Sequence, residues 1–226
     1  MRVFVLVLMI SLVCLISPYY ASAAPPSYKE LVVLDGFNEA DSITFMSPLR
    51  MNDLGQLVGY GLNQYEVMQG FIWDPVSGSM GVSAPDMAES EVIDINNQGL
   101  AVGSCSWDGD FYSGFIWDTK SNTITRLSLD GYGVSNVVAI NDSGLVACTL
   151  IDDNGRYPFL YDTVSGLWQE LLVPENASYT RIVALNNQGI ALGYCDQEEG
   201  ASYSVYWDLA TKAVHILPAP ENCSTR

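Results

Sequence analysis

The sequence predicts an all-β protein made of four copies of a unit of about 45 residues, and two recurrent motifs predict it. The first is an aliphatic residue followed by Asn, with Gly three residues after the Asn, and its Asn residues lie 44, 45 and 45 positions apart. The second comes about 22 residues later and ends in an aromatic residue and Asp. Because both motifs keep their spacing through four copies, repetition organises the whole chain.

Each Asn-to-Gly segment is predicted to form a tight turn between two strands, named A and B. Asn at the first turn position and Gly at the fourth are favoured in type I turns. The four segments begin and end at Asn52 and Gly55, Asn96 and Gly99, Asn141 and Gly144, and Asn186 and Gly189. The Asp of the second motif opens a further turn, between strands C and D, at Asp74, Asp118, Asp162 and Asp208.

Each copy therefore reads as four short strands, A to D. Strand C is a continuous apolar run, which indicates a sheet covered on both faces. A covered, repeated, four-stranded sheet is typical of a β-propeller blade. The prediction is a β-propeller-like domain of four antiparallel blades, at about 43–87, 88–131, 132–176 and 177–222. An extra N-terminal strand, Leu31 to Leu34, either clasps the ring or belongs to an incomplete five-bladed propeller or an open array.

The first 23 residues read as a secretory signal peptide. Arg2 precedes 14 apolar residues, Val3 to Ile16, and Ala21-Ser22-Ala23 matches the small-residue cleavage pattern. This apolar run is shorter than the roughly 20 residues that a membrane-spanning helix needs. We therefore expect cleavage near Ala23, a mature domain of residues 24–226 without a membrane span, and a secreted, periplasmic or cell-envelope location.

The chain is strongly acidic, with 26 Asp and Glu against 9 Lys and Arg and a formal net charge of −17. A field of this sign repels phosphate backbones and anionic lipid, so nucleic acid is not an expected partner. Four cysteines follow the signal segment and allow three complete pairings. Cys105 and Cys195 occupy equivalent positions in different blades, too far apart to pair. Cys195 and Cys223 are the candidate disulfide.

The units resemble the HAF repeat, a bacterial extracellular repeat. The matching pieces are Asn96-Asn97-Gln98-Gly99, Leu100 to Gly103 and Ser113-Gly114-Phe115-Ile116-Trp117, with equivalents in the other copies. The resemblance covers nearly all of residues 30–218, although the His-Ala of the family is replaced in every copy. It implies an exported, propeller-like protein and assigns no catalytic residue.

The motifs of common enzyme and metal sites are absent from the sequence. His215 is the single histidine and lies between two apolar residues, and no phosphate-binding loop or zinc spacing occurs. The repeated Asp residues are expected to hold turns, because a catalytic pair is needed only once. We predict no catalytic residue, no metal site and no cofactor, with calcium at acidic loops such as Asp108-Gly109-Asp110 as the alternative.

Recognition is expected where the B-C and D-A connections meet, because these connections vary between copies on a rigid repeat. The candidate ligand-binding residues are Tyr65, Trp107, Asp108, Asp110, Tyr112, Asp152, Asp153, Arg156, Tyr157 and Tyr203. The predicted function is a non-enzymatic binding or interaction module for a glycan or a protein. The alternatives are a glycan-acting hydrolase that uses two loop carboxylates and a structural envelope or matrix protein.

Overall fold

Sixteen antiparallel strands, taken four at a time in chain order, build four separate sheets in the computed structural model. The structure describes residues 45–63, 65–84, 87–107, 112–129, 133–152, 155–175, 177–197 and 202–218. The predicted all-β architecture of four antiparallel, propeller-like blades is confirmed. The signal segment and the extra strand at Leu31 to Leu34 lie outside the described residues.

Every sheet has its strands in consecutive order, and we name the sheets blades 1 to 4. Blade 1 holds β1 (Phe45–Met51), β2 (Leu57–Leu62), β3 (Met68–Asp74) and β4 (Gly78–Gly81). Blade 2 holds β5 (Met87–Ile95), β6 (Leu100–Trp107), β7 (Tyr112–Asp118) and β8 (Thr123–Arg126). Blade 3 holds β9 (Gly133–Ile140), β10 (Leu145–Asp152), β11 (Gly155–Asp162) and β12 (Leu167–Glu170). Blade 4 holds β13 (Ala177–Leu185), β14 (Ile190–Gln197), β15 (Ser202–Asp208) and β16 (Ala213–Ile216).

The repeated Asn closes the first turn of each blade in the same way. In blade 2, the Gly99 amide donates to the Asn96 carbonyl at 3.2 Å. The Asn96 Oδ1 atom accepts from the amides of Gln98 at 3.0 Å and Leu100 at 2.9 Å. Gly99 has a φ of +82°, a conformation that is strained for residues with a Cβ atom. The same bonds recur at the other three turns, so this segment fixes the pairing of strands A and B.

The repeated Asp closes the second turn. In blade 1, the Asp74 carboxylate accepts from the amides of Val76 at 2.8 Å and Ser77 at 2.9 Å. The bond from the Ser77 amide, one from the Gln56 side chain and the bond from the Val76 amide lower the pKa of Asp74. The pKa values of Asp118, Asp162 and Asp208 are also lowered, chiefly by a hydroxyl three residues later. The folded protein therefore favours the charged form of all four carboxyls.

A lowered carboxyl pKa makes the free energy of unfolding fall as the solution is acidified. This stabilisation is complete above the unfolded pKa of about 4 and is lost as pH drops through the folded pKa. We expect Asp162→Asn to be less stable than the wild type at pH 6 but to lose less stability between pH 5 and pH 2. Urea unfolding at a series of pH values measures this. Glu175→Gln is the control, since Glu175 is exposed and has no described hydrogen bond. If the free energy of unfolding depended on pH equally in the wild type and Asp162→Asn, the charged form of Asp162 would not stabilise the fold.

The apolar core lies between the blades. Three buried clusters occur in the described residues, and each joins two neighbouring sheets. In the first, Val58 and Ile72 of blade 1 pack with Ala101, Phe115 and Trp117 of blade 2. Because one small sheet has no second layer of its own, it buries its apolar faces only against a neighbour.

The row of blades is open. The strands of blade 1 pack against blade 2, those of blade 2 against blade 3, and those of blade 3 against blade 4. Within the described ranges, blade 4 does not return to pack against blade 1. In the described part of the chain, blades 1 and 4 therefore each have one face without a neighbouring blade.

Candidate functional site

The antiparallel order gives the blades two different ends. The A-B and C-D turns lie at one end, called the turn end, and the B-C and D-A connections lie at the other, called the loop end. The turn end carries the repeated Asn and Asp residues. The loop end carries the residues that the sequence predicts for binding.

At the turn end, the repeated Asn residues also connect the blades. The Asn52 Nδ2 atom donates to the Asn96 carbonyl at 3.1 Å, and Asn96 donates to the Asn141 carbonyl at 3.1 Å. Asn141 donates in turn to the Asn186 carbonyl at 3.2 Å. One side chain thus closes its own turn through its oxygen and holds the next blade through its nitrogen. The sequence suggested only the first of these roles.

A second line of bonds runs one residue further along the chain, where Asp and Asn alternate as Asp53, Asn97, Asp142 and Asn187. The Asn97 Nδ2 atom donates to the carboxylates of Asp53 and Asp142, at 2.9 Å each. Asn187 donates to the same Asp142 oxygen at 2.8 Å. These side chains border a polar cavity of about 340 Å³. Because each carboxylate meets an amide donor from a neighbouring blade, the arrangement serves to join blades.

At the loop end, the predicted binding residue Tyr65 is exposed, with 76% of its surface accessible. It lies in the connection between β2 and β3. The Asn63 side chain holds this connection by accepting from the amides of Tyr65 at 2.9 Å and Val67 at 3.1 Å. Glu66 beside it has a φ of +60°. These bonds restrict the backbone of the connection, so the exposed Tyr65 side chain projects from a well-defined turn.

The B-C connections of blades 2 and 3 are short, and strands B of these blades extend beyond the apolar runs that predicted them. Strands B and C continue to pair almost to the tip of the hairpin, as in Ser106 with Tyr112 and Asp152 with Gly155. The side chains in this stretch are largely polar, so apolar runs in the sequence do not indicate that the strands continue here. The predicted binding residues that belong to strands are Trp107, Tyr112, Asp152, Arg156, Tyr157 and Tyr203. Asp108, Asp110 and Asp153, and the side chains of Tyr112 and Asp152, lie outside what the structure describes.

Three of the predicted aromatic residues are partly buried by the blades. Trp107 packs against the cluster between blades 1 and 2, and the Arg126 guanidinium lies 5.5 Å from its ring centroid. Its Nε1 atom is buried without a hydrogen-bond partner among the described residues. Tyr157 and Tyr203 pack against the other two clusters. These rings have packing roles, which leaves less of each available to a ligand.

A group that the sequence only partly indicated joins blades 3 and 4 at the loop end. The exposed Arg156 guanidinium lies 4.9 Å from the ring centroid of Tyr179. The ring of Tyr194 stacks beside Tyr179, with centroids 6.2 Å apart and planes at 22°. We call these three residues the Arg156 stack. Tyr194 lies inside strand β14, where the sequence shows only an apolar run, so no sequence signal marked it.

Two carboxyls of β5 have raised pKa values because they are buried, Glu91 and Asp94. Asp94 accepts from the Ile140 amide of blade 3 at 3.0 Å and from the Ile95 amide at 3.0 Å. A raised carboxyl pKa lowers the free energy of unfolding as pH rises above the unfolded pKa of about 4, which is the opposite of the effect of the turn Asp residues. Through its bond with the Ile140 amide, Asp94 also links blade 2 to blade 3.

Cys105, Cys148 and Cys195 are buried, and none of the three is paired with another cysteine of the described residues. Burial raises the pKa of Cys105 and of Cys148 to about 12. Burial also raises the pKa of Cys195, which lies 3.4 Å from the Thr180 hydroxyl oxygen. Cys223 lies outside the described residues, so the disulfide with Cys195 stays a prediction.

Within the described ranges, no group of three or more His, Cys, Asp or Glu side chains is placed to hold a metal ion. The acidic loops named for calcium fall largely outside these ranges. A search of the same residues finds no helix with the length and apolar character to cross a membrane.

No family model matches this chain, and no curated protein matches it. Solved structures do match. TolB from Acinetobacter baumannii aligns with a TM-score of 0.58 at 14% identity, over 80% of this chain and 44% of that one. A putative TolB from Agrobacterium tumefaciens aligns with a TM-score of 0.61 at 7% identity, over 77% and 65%.

The β-propeller domain of the Trilobed protease from Pyrococcus furiosus, described as having an open velcro topology, aligns with a TM-score of 0.56 at 14% identity. The match covers 80% of this chain and 56% of that one. This chain spans less than two thirds of the length of these proteins. At such identities the likeness concerns fold alone, and the described residues have the fold of β-propeller domains.

Proposed function

We propose that this chain is an exported, non-enzymatic binding module that recognises a glycan or protein partner through the loop end. The observation that supports it is the contrast between the two ends. At the turn end, the same residue types recur in each blade, and their hydrogen bonds are made to one another. At the loop end, the side chains differ from blade to blade and include exposed Tyr65 and Arg156.

The Arg156 stack has the chemistry of a recognition surface. A guanidinium group offers five N–H donors in a fixed plane, and the Tyr179 ring beneath it holds that plane in place. Tyr rings add apolar area at a small cost in side-chain entropy, which is why they are frequent in binding surfaces. A hydroxylated sugar ring and a carbonyl-rich protein loop are both able to use such a surface.

The charge of the chain favours a neutral or basic partner. A net charge of −17 attracts basic surfaces and raises their rate of encounter at low salt. The four Asp residues of the C-D turns have lowered pKa values, so they remain charged at neutral pH. They contribute to this field while they hold their turns.

The test is a binding screen of the full chain on a glycan array and on immobilised basic proteins, repeated with variants of the loop end. We expect Arg156→Ala and Tyr65→Ala each to weaken binding to the partner found by about tenfold or more, the effect of a recognition residue of 1.4 kcal/mol. Val164→Ala is the matched control, because Val164 is exposed at the turn end.

Release of reducing sugar from a bound glycan would contradict the non-enzymatic proposal and support the hydrolase alternative. Absence of any partner on both surfaces would favour a structural protein. A loss of binding with Val164→Ala but not with Arg156→Ala or Tyr65→Ala would move the site to the turn end and contradict the loop-end assignment.

A further inference from the structure

Each blade presents two rows of side chains to its neighbours. The forward row runs across strands B, C and D and faces the next blade in sequence. It consists of Val58, Ile72 and Met80 in blade 1, Val102, Ile116 and Thr125 in blade 2, Ala147, Leu160 and Gln169 in blade 3, and Leu192, Tyr206 and His215 in blade 4.

The backward row runs across strands A, B and C and faces the previous blade. It consists of Met51, Leu57 and Trp73 in blade 1, Ile95, Ala101 and Trp117 in blade 2, Ile140, Val146 and Tyr161 in blade 3, and Leu185, Ala191 and Trp207 in blade 4. Each of the three core clusters combines the forward row of one blade with the backward row of the next.

Among the residues that the structure describes, the forward row of blade 4 has no such partner. Val58, Val102 and Ala147 are completely buried, whereas their counterpart Leu192 is 39% exposed. The residue that follows strand D gives the same contrast. It is Val82, Leu127 and Leu171 in the first three blades, at most 5% exposed, and Leu217 in blade 4, 37% exposed.

Tyr206 and His215 complete this open row as a flat platform. Their rings stack with centroids 4.6 Å apart and planes at 16°. Both side chains are aromatic rings, and the row contains no carboxylate. It is therefore suited to another apolar sheet face.

The backward row of blade 1 is likewise uncovered by any described residue outside its own blade. Met51 is 66% exposed, whereas its counterparts Ile95 and Ile140 are at most 5% exposed. Leu57 and Trp73 are partly exposed beside Met51, while Trp117, the counterpart of Trp73, is completely buried.

We propose that copies of this chain associate head to tail, with the forward row of blade 4 packed on the backward row of blade 1 of another copy. The two open rows are the two halves of a contact that the molecule already makes three times within itself. Met51, Leu57 and Trp73 correspond to the residues that cover a forward row elsewhere, and Leu192, Tyr206 and His215 correspond to the residues they cover.

A contact between unlike faces leaves one free face of each kind at the two ends of an assembly. It closes into a ring when the rotations add to a full turn and otherwise continues as an open array. Each contact removes exposed apolar side chains of both rows from water, which is the dominant favourable term in protein association.

The test measures the mass of the full chain in solution, by light scattering after size exclusion, over a hundredfold range of concentration. We expect a mass above that of one chain, rising with concentration. Leu192→Asp and Met51→Asp should each abolish association, because a carboxylate in the packed row has no partner. Val164→Asp is the matched control, since it places the same charge on an exposed apolar residue outside both rows. Far-ultraviolet circular dichroism checks that each variant is folded.

Mixing the two variants separates this contact from other arrangements. The Met51→Asp chain keeps an intact forward row and the Leu192→Asp chain an intact backward row, so an equimolar mixture should form a complex of one chain of each. Failure of the mixture to associate, or association of Met51→Asp alone as strongly as the wild type, would overturn the head-to-tail contact. A wild-type chain that is monomeric and associates only after residues 24–40 are deleted would also overturn the head-to-tail contact. That result would mean that these residues cover the open rows within one chain.

Discussion

Replacing Gly103 by alanine is expected to lower the free energy of unfolding by about 2–3 kcal/mol, the upper part of the range of about 1–3 kcal/mol for an overpacked core. Gly103 lies in β6 opposite Val92 of β5, beside an irregularity in the pairing of these strands. A Cβ atom there would overlap the Glu91 carbonyl oxygen and the ring of Phe115. Because the first obstacle is backbone, relief requires the strands to separate, and a change of side-chain rotamer is not enough.

Equilibrium unfolding in urea measures this loss, with Gly155→Ala as the control. A Cβ atom at Gly155 meets the Tyr157 side chain at an ordinary 3.6 Å, so we expect a change within about 0.5 kcal/mol. Equal stability of wild type and Gly103→Ala would show that strands A and B are further apart than the structure has them.

The same constraint recurs in two of the other three blades. Gly59 and Gly193 occupy the same position in blades 1 and 4 and meet the same carbonyl obstacle. Blade 3 has Cys148 there, buried and paired with Val137 in the same register as Gly103 with Val92. The pairing in blade 3 has a second irregularity directly after this position, between Thr149 and Leu150, where the two strands have room to adjust to a side chain.

The repeat made the fold predictable from the sequence. The Asn-to-Gly turns required Gly at a positive φ, and the sequence marks each of them because both residues recur at fixed spacing. The strand order follows from such turns, since a tight turn joins antiparallel neighbours. The described residues contain the sixteen strands expected for four blades.

The ends of the strands were less predictable. Strand A of blade 2 begins at Met87, although the apolar run that marked it begins at Val92. The added residues include Ser90 and Glu91, and polar side chains carry no strand signal. Their backbone pairs nonetheless, because the partner strand supplies donors and acceptors along its whole length.

The candidate site was predictable only in part. Arg156 and Tyr65 were recognisable as variable residues near a predicted loop, and both are exposed. The stacking of Arg156 on Tyr179 joins two blades and has no local signature in the sequence. The same holds for the bonds from each repeated Asn to the next blade, because a repeat shows which positions are equivalent but not which of them touch.

Replacing Asn96 by aspartate is expected to lower the free energy of unfolding by about 2–4 kcal/mol, for a lost buried hydrogen bond and a buried charge without a partner. The carboxylate keeps the two oxygen-accepted bonds that close the turn. It loses the Nδ2 donor that reaches the Asn141 carbonyl at 3.1 Å and sets a negative charge against that oxygen. The loss should diminish in acid, where a protonated carboxyl regains a donor.

Asn186→Asp supplies the matched control. Asn186 closes its turn with the same bonds, to the amides of Gln188 and Ile190. It is exposed, and among the described residues its Nδ2 atom has no carbonyl of a following blade to reach. If the repeated Asn served its turn alone, the two substitutions would have equal effects.

The most direct test of the blade-to-blade junction is therefore the difference in free energy of unfolding between Asn96→Asp and Asn186→Asp, measured in urea at pH 7. If the Asn96 side chain holds the next blade, Asn96→Asp is less stable than Asn186→Asp by about 2 kcal/mol or more. Asn186→Asp should lie within about 0.5 kcal/mol of the wild type. Equal losses in the two variants would contradict this role of the Asn96 side chain.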